Sequence, residues 1–231
     1  MRGKALATAL RLDESQVELG SVRPDGDCFY EALDLQLSSN RPRGLEDAGA
    51  MRATVADAIT EEVYETMRMF ASAGVEGYEW LSSHRAPDSL AEVRAFARRR
   101  GRDHGAGQCL WADHFALETI ADRAGILLLI YDEQGQSRGS RSGQIRGGAA
   151  APDPRFVACG ELNNPHAVLL HRSRRMHYNP ILFEGTGVVD VNVLPPATRA
   201  LWPGLAASKR HQETANASSH SKEGFSKRQR V

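Results

Sequence analysis

Cysteine is scarce in this chain, and its spacing argues against two kinds of stabilised fold. The 231 residues include only Cys28, Cys109 and Cys159, an odd number without a C-x-x-C pair. A disulfide framework requires paired cysteines, and a structural zinc site is usually signalled by cysteines and histidines at short spacings. The sequence therefore predicts no disulfide, no metal and no other cofactor. Unpaired cysteines also favour a reducing compartment, and we expect a cytoplasmic protein.

Long apolar runs and an excess of one charge sign are also missing. No run approaches the roughly 20 apolar residues that a membrane-spanning helix needs, and Arg11 and Asp13 interrupt the apolar start too early for a signal peptide. Lysine plus arginine and aspartate plus glutamate each number 29, so the net charge is zero. No basic stretch is interleaved with aromatic residues, as in nucleic-acid-binding surfaces. We therefore expect no membrane or nucleic-acid partner, and we expect a monomer.

The composition predicts one globular domain with an appendage at each end. Hydrophobic residues make up 41% and charged residues 25%, as in ordinary globular domains. We expect a lead-in over residues 1–16, a folded domain over residues 17–184 and an extension over residues 185–231. The extension carries seven lysines and arginines against three acidic residues. It is expected to be a largely disordered basic tail, whose basic clusters suggest an additional nuclear location. Residues 134–154 are typical of a flexible insertion, since they are rich in Gly, Ser, Arg and Ala.

The stretch from Pro24 to Leu33, PDGDCFYEAL, has the pattern of a nucleophile at the start of a helix. Pro-Asp-Gly-Asp is turn chemistry. The apolar residues after Cys28 recur at helical spacing, with Asp27 available as a side-chain cap. Backbone N–H groups at a helix start favour a thiolate and an oxyanion beside it. Cys28 is therefore a candidate nucleophile, and a small buried cysteine is the alternative that this stretch alone leaves open.

A histidine and an asparagine near the end of the domain are candidates to complete a catalytic set. The segments HAVLL and MHYNPI are typical of two strands separated by a polar turn. In the second, His177 and Asn179 are two residues apart and so share a face. Asn179 could then orient the imidazole of His177 to accept a thiol proton, as in a Cys-His-Asn triad. His166 and His171 flank the first strand and are rival bases, but neither is followed by an amide at this spacing.

Apolar spacing predicts the remaining elements. Residues from Met51 to Phe70 fit one long amphipathic helix that ends at Gly74. The capping box Ser89-Leu90-Ala91-Glu92 predicts the start of another helix, whose end carries a run of arginines that complement the helix dipole. Cys159 lacks charged neighbours and a helix start, so it is predicted to lie in the core. A further helix and three strands are predicted at residues 113–124, 126–130, 156–159 and 166–170.

Three of these motifs, in this order, resemble the ovarian tumour (OTU) domain family of cysteine proteases. They are the Asp-Gly-x-Cys-Phe helix start, the Trp111-Ala112-Asp113-His114 segment that leads a helix into a buried strand, and the closing His-Tyr-Asn. The resemblance covers Val17 to Glu184. It implies a papain-like α/β (α+β) fold, with a central, mostly antiparallel β-sheet sandwiched between helices. It also implies hydrolysis of the isopeptide bond at the C-terminus of ubiquitin or, in some members, of a ubiquitin-like modifier.

The resemblance also implies roles for individual residues. Cys28 would be the nucleophile and His177 the general base. Asn179 or Asp25 would be the supporting polar residue, and we favour Asn179 as the group that orients His177 and Asp25 as a brace of the nucleophile turn.

The turn itself would supply the oxyanion hole, from the backbone N–H groups of Gly26, Asp27 and Cys28. The family commonly has asparagine at the position of Asp27. This departure places an extra negative charge beside the thiol, which is expected to raise the thiol pKa.

The expected function is a thiol-dependent deubiquitinase whose partner is ubiquitin or polyubiquitin. Two alternatives stay open. One is a catalytically inactive ubiquitin-binding module, in which Asp27 or an occluded cleft keeps the thiol protonated. The other is a papain-like protease acting on another ubiquitin-like modifier. Active-site residues do not separate these modifiers, because the chemistry is the same and discrimination lies in surface contacts.

Overall fold

The computed structural model describes residues 3–37, 41–75, 78–82, 86–133, 155–173, 177–202 and 204–205. The predicted insertion at 134–154 and the predicted tail from residue 206 onward lie outside these ranges. None of the helices within the ranges is both long and apolar enough to span a bilayer.

The described residues form eight α-helices, three short 3₁₀ helices and six strands. The helices are α1 (Gly3–Leu10), α2 (Cys28–Gln36), α3 (Ala48–Ala58), α4 (Glu61–Ser72), α5 (Leu90–Arg98), α6 (Gly101–His104), α7 (His114–Ala124) and α8 (Pro196–Arg199). The strands are β1 (Val17–Leu19), β2 (Leu127–Asp132), β3 (Phe156–Cys159), β4 (His166–Ser173), β5 (His177–Phe183) and β6 (Val188–Asp190).

One mixed sheet holds these strands. Five lie in the order β1-β5-β4-β2-β3, and β6 pairs with the start of β4. The β2–β4 pairing is parallel, whereas the pairings β1–β5, β2–β3, β4–β5 and β4–β6 are antiparallel. The prediction of a mostly antiparallel sheet is confirmed.

Helices cover both faces of the sheet. Every residue of β2 is buried, as expected for a strand that is covered on two sides. Leu128 and Ile130 pack with residues of α2, α3 and α7 on one face. Leu127 and Leu129 pack with α1 and with residues that follow β6 on the other face. The predicted sheet between helical layers is therefore confirmed, and each buried leucine contributes roughly 1.5–3 kcal/mol to stability.

Packing continues past the predicted domain boundary at Glu184. Trp202 is buried in the second layer, where its indole N–H donates to the carbonyl oxygen of Val157 at 3.1 Å. Near the start of the chain, Leu6 and Leu10 of α1 are fully buried in the same layer. The sheet is therefore covered on this face by residues from both sides of the predicted central domain.

The single long helix predicted from Met51 to Phe70 is wrong, because two helices occupy this region. Helix α3 ends at Ala58, and Thr60 begins α4 by accepting the Val63 N–H at 3.3 Å. Ile59 lies between the two helices and is buried. The apolar spacing therefore continues across the break, and the spacing alone does not reveal where the first helix ends. The threonine was the available signal, since it is a favoured N-cap residue.

Candidate active site

Cys28 is the first residue of α2, and it lies against strand β5. In the turn before it, Gly26 adopts a φ of 96°, a conformation that favours glycine. The cysteine is buried, and Tyr178 donates its backbone N–H to Cys28 Sγ at 3.5 Å. The fold thus joins two positions that are 150 residues apart. The sulfur lies beside the part of β5 that begins with His177.

The surroundings of Cys28 act on its thiol in opposite directions. Burial raises the pKa of Cys28, and the charge of Asp25 acts in the same direction. Hydrogen bonds from the backbone N–H groups of Tyr178 and Phe29 act against this rise, because they favour the thiolate. The net pKa is above its ordinary value, so the thiol carries its proton at neutral pH. Nucleophilic attack by Cys28 therefore needs a base that accepts this proton.

His177 and Asn179 lie on one face of β5, and both are partly buried. Burial lowers the pKa of His177, while the Asn179 side chain and the charge of Asp25 act against that decrease. The imidazole is therefore neutral near pH 7, which is the form that accepts a proton. Among the described residues, His177 Nδ1 is buried without a hydrogen-bond partner. The Asn179 side chain nevertheless acts on the imidazole, and its Oδ1 accepts the N–H of Val22 at 3.4 Å.

Asp25 lies in the turn that precedes Cys28, the candidate nucleophile. Its Oδ1 accepts the N–H of Asp27 at 3.1 Å, and its Oδ2 lies 3.7 Å from Nε of Arg23. The Asp25 charge also acts on both Cys28 and His177, and it opposes the loss of a proton from each. One of the three backbone donors predicted for the oxyanion hole, the Asp27 N–H, is therefore engaged with a carboxylate.

The Asp27 side chain does not cap α2, contrary to the prediction. It is fully buried, and its Oδ1 lies 2.5 Å from Nε of Arg52. Its Oδ2 lies 3.1 Å from Nε of Arg100 and accepts the N–H of Arg102 at 3.2 Å. Burial by itself raises the pKa of Asp27, but backbone hydrogen bonds and the Arg52 charge outweigh it and hold the pKa below its ordinary value. The extra negative charge predicted beside the thiol is therefore compensated by two arginines.

Arg52 is a fully buried arginine that joins the nucleophile turn to other parts of the chain. Its Nη1 donates to the carbonyl oxygens of Ala97 and Leu110 at 3.1 and 2.9 Å. Its Nη2 donates to the carbonyl oxygen of Gly26 at 2.6 Å, and its guanidinium lies 4.6 Å from the centre of the Tyr30 ring. Sequence reasoning missed this residue. The one available signal was an arginine on the otherwise apolar buried face of α3.

Gly101 packs directly on the nucleophile turn. A Cβ atom at Gly101 would lie 1.9 Å from the carbonyl oxygen of Asp25 and 3.1 Å from the backbone nitrogen of Asp27. Only glycine allows this approach, which brings the flanking Arg100 and Arg102 to Asp27. The arginine run was predicted to complement a helix dipole. Part of it instead supports the turn before the nucleophile.

Three carboxylates around this turn carry oxygen atoms within 4.8 Å of one another: Asp25, Asp27 and Glu31. Each of them faces a guanidinium. Arg23 lies 3.7 Å from Asp25 and 3.6 Å from Glu31, and Arg52 lies 2.5 Å from Asp27. We therefore interpret this group as an ion-pair network that supports the nucleophile turn.

The two rival histidines have different surroundings. His171 is buried opposite Asn179 in the β4–β5 pairing, and its ring stacks on Tyr131 with centroids 5.9 Å apart. His166 is exposed at the end of β4 that pairs with β6. Of the three histidines, His177 is the one next to the backbone N–H that contacts the thiol.

No family model and no curated protein matches this chain. Solved structures that are similar to it include an OTU domain in complex with ubiquitin, with 12% identity and a TM-score of 0.44, covering 83% of this chain and 88% of that chain. The OTU domain of OTUD1 has 12% identity and a TM-score of 0.44, covering 78% and 93% of the two chains. An OTU deubiquitinase from Wolbachia pipientis wMel has 14% identity and a TM-score of 0.40, covering 73% and 90%. These three structures are OTU domains, the family whose motifs this sequence resembles.

Proposed function

We propose that this protein is a cysteine-type deubiquitinase that hydrolyses the isopeptide bond at the C-terminus of ubiquitin in ubiquitin conjugates. The observation that supports the proposal is the hydrogen bond from the Tyr178 N–H to the buried Cys28 thiol at 3.5 Å. This hydrogen bond joins Cys28, at a helix start, to the strand that carries His177 and Asn179. The motifs that resemble the OTU family point to ubiquitin as the modifier.

The reaction proceeds in two halves. His177 accepts the Cys28 proton, and the thiolate attacks the carbonyl carbon of the terminal glycine of ubiquitin. The bond from this carbon to the lysine nitrogen breaks, and His177 returns the proton to the leaving amine. Water, activated by the same imidazole, then hydrolyses the thioester and frees the cysteine. No cofactor takes part.

We assign Asn179 as the residue that orients His177 and Asp25 as the brace of the turn. Asn179 shares a face with His177, and its side chain supports the charged imidazole. Asp25 already accepts a hydrogen bond within the turn, from the Asp27 N–H. Asn179 is a positioning residue, because it acts through His177.

Backbone N–H groups of the turn stabilise the tetrahedral oxyanion in this proposal. The donors are those of Gly26, Asp27 and Cys28, and the Asp27 N–H becomes available only when it leaves the Asp25 carboxylate, 3.1 Å away. Loss of one oxyanion donor typically costs roughly 3 kcal/mol, or ~10²–10³ in rate.

The test is a reaction with ubiquitin that carries an electrophilic group at its C-terminus. Wild-type protein and the Cys28→Ala, Cys109→Ala and Cys159→Ala variants are incubated with this probe, and the products are weighed by intact-mass spectrometry. We expect one added ubiquitin on the wild type, on Cys109→Ala and on Cys159→Ala, and none on Cys28→Ala. All three cysteines are buried, so the two other cysteine variants are matched controls for burial.

Two results would overturn the proposal. An adduct that persists in Cys28→Ala removes the assigned nucleophile. An adduct that forms on Cys28 only with another ubiquitin-like modifier leaves the nucleophile in place but replaces ubiquitin as the substrate.

A further inference from the structure

A second cysteine–histidine pair lies where α7 begins and β3 ends. His114 is the first residue of α7, Glu118 lies one turn further along, and Cys159 is the last residue of β3. Cys159 Sγ lies 3.9 Å from His114 Nδ1, and His114 Nε2 lies 3.7 Å from Glu118 Oε1. One ligand atom from each of the three residues lies within 4.8 Å of the other two. The fold thus gathers an imidazole, a carboxylate and a thiol.

The backbone at the end of β3 holds two of these groups in place. The N–H of Gly160 donates to Glu118 Oε2 at 2.8 Å and so orients the carboxylate. Gly160 has a φ of 94°, and a Cβ atom there would lie 2.7 Å from the carbonyl oxygen of Ile126 and 3.0 Å from Cβ of Ala121. Glycine therefore lets the end of β3 approach α7 closely. This approach places Cys159 against the helix.

The cluster has one open side. Cys159 is 1% exposed, whereas the side chains of Glu118 and His114 are 37% and 72% exposed. An ion can therefore reach the three groups from solvent, and water can complete its coordination.

The donor set and its spacing fit zinc. Zinc binds thiolate at about 2.3 Å and imidazole nitrogen at about 2.0–2.1 Å in a tetrahedron, which requires a sulfur-to-nitrogen distance of about 3.6 Å. The observed Sγ···Nδ1 distance of 3.9 Å is close to this value. Calcium and magnesium prefer six or more oxygen ligands. A thiol and an imidazole beside a single carboxylate therefore favour zinc.

We propose that His114, Glu118 and Cys159 form a zinc-binding site, with water as the fourth ligand. As the zinc–sulfur bond forms, the thiol S–H bond breaks and the proton leaves to solvent. The Gly160 N–H then supports the carboxylate ligand from the second coordination shell, as is usual in zinc sites. The bound ion ties α7 to the end of β3. The site does not depend on the proposed protease activity.

The experiment uses the full chain with Cys28→Ala, so that the thiol of the candidate active site cannot bind the metal. Zinc is titrated into this protein by calorimetry, and cobalt(II) is added to a second sample as a spectroscopic probe. The same measurements are made on two double variants, which carry His114→Ala or His104→Ala in addition to Cys28→Ala. The His104→Ala variant is the matched control, because it also removes an exposed histidine. Because the His114 side chain is 72% exposed, its loss leaves the core intact.

We expect one zinc per chain in the Cys28→Ala protein and in the His104→Ala control, with affinity about 10-fold or more weaker after His114→Ala. Cobalt should show a sulfur-to-metal charge-transfer band that disappears in Cys159→Ala. Equal zinc affinity with and without His114 would overturn the site. A cobalt spectrum without a thiolate band would overturn the role of Cys159. Zinc binding by the wild type that is absent from the Cys28→Ala protein would overturn the site, because the ion would then be bound at Cys28.

Discussion

Two cysteine–histidine pairs in this fold have inverted arrangements. At the candidate active site the cysteine, Cys28, begins a helix and the histidine, His177, begins a strand. At the proposed zinc site the histidine, His114, begins a helix and the cysteine, Cys159, ends a strand. The two thiols therefore have different electrostatic surroundings, because a helix start favours negative charge and only Cys28 occupies one.

The surroundings decide which chemistry each thiol favours. Backbone N–H groups lower the pKa of Cys28 against the effect of burial, and one of these N–H groups belongs to Tyr178, the residue after the partly buried His177. For Cys159, burial and the Glu118 carboxylate both act against the thiolate and raise its pKa to about 12. A thiolate at Cys28 can form by proton transfer to a base. At Cys159 a bound cation would favour the thiolate, and the carboxylate that opposes ionisation would become a ligand of that cation.

The largest expected difference between the pairs is in turnover. Cys28→Ala should lower hydrolysis of a fluorogenic ubiquitin amide by roughly 10⁴-fold or more, because it removes the group that we propose forms the thioester. Cys159→Ala should keep activity within a few-fold of the wild type. Steady-state rates of the two purified variants decide this. Comparable losses in both would show that the two cysteines act through stability rather than chemistry.

The next largest expected effect is on stability, at the buried ion pair between Arg52 and Asp27, the residue before Cys28. Arg52→Met leaves the buried Asp27 carboxylate without its closest cation, so we expect the free energy of unfolding to fall by about 3–5 kcal/mol. Urea unfolding measures this change. Arg68→Met is the control, since Arg68 pairs with Glu65 at 3.0 Å on the surface and should cost less than ~1 kcal/mol. If Arg52→Met and Arg68→Met lower the free energy of unfolding by the same amount, the buried network does not support the nucleophile turn.

Local patterns predicted the parts of the site that depend on local structure. The turn residues before Cys28 and the apolar spacing after it indicate a helix that starts at the cysteine, and the structure begins α2 there. The spacing of His177 and Asn179 indicates a shared strand face, and both lie on β5. In each case the neighbouring residues in the chain determine the geometry.

Tertiary contacts account for what sequence reasoning missed. Arg52 lies among apolar residues of α3, and its role depends on Asp27, which is 25 positions away. Gly101 is required because its backbone packs against the carbonyl oxygen of Asp25, and this contact is formed only in the folded chain. Cys159 is buried in the core, as predicted, but its contact with a histidine was not predicted. Its neighbour His114 is 45 positions away, and no local pattern connects them.

The smallest expected effect is a shift in pH dependence at Cys28, without loss of the nucleophile. The Asp25 charge opposes ionisation of the thiol and favours a protonated imidazole. In Asp25→Asn, the pKa values of Cys28 and His177 should both fall, so the pH profile of Cys28 alkylation by iodoacetamide should move to lower pH. Asn179→Ala removes a group that raises the pKa of His177 but not that of Cys28. The acidic limb of the rate profile should therefore move to lower pH. If only Asp25→Asn moved the acidic limb of the rate profile and Asn179→Ala left it in place, the brace and the orienting residue would have to be exchanged.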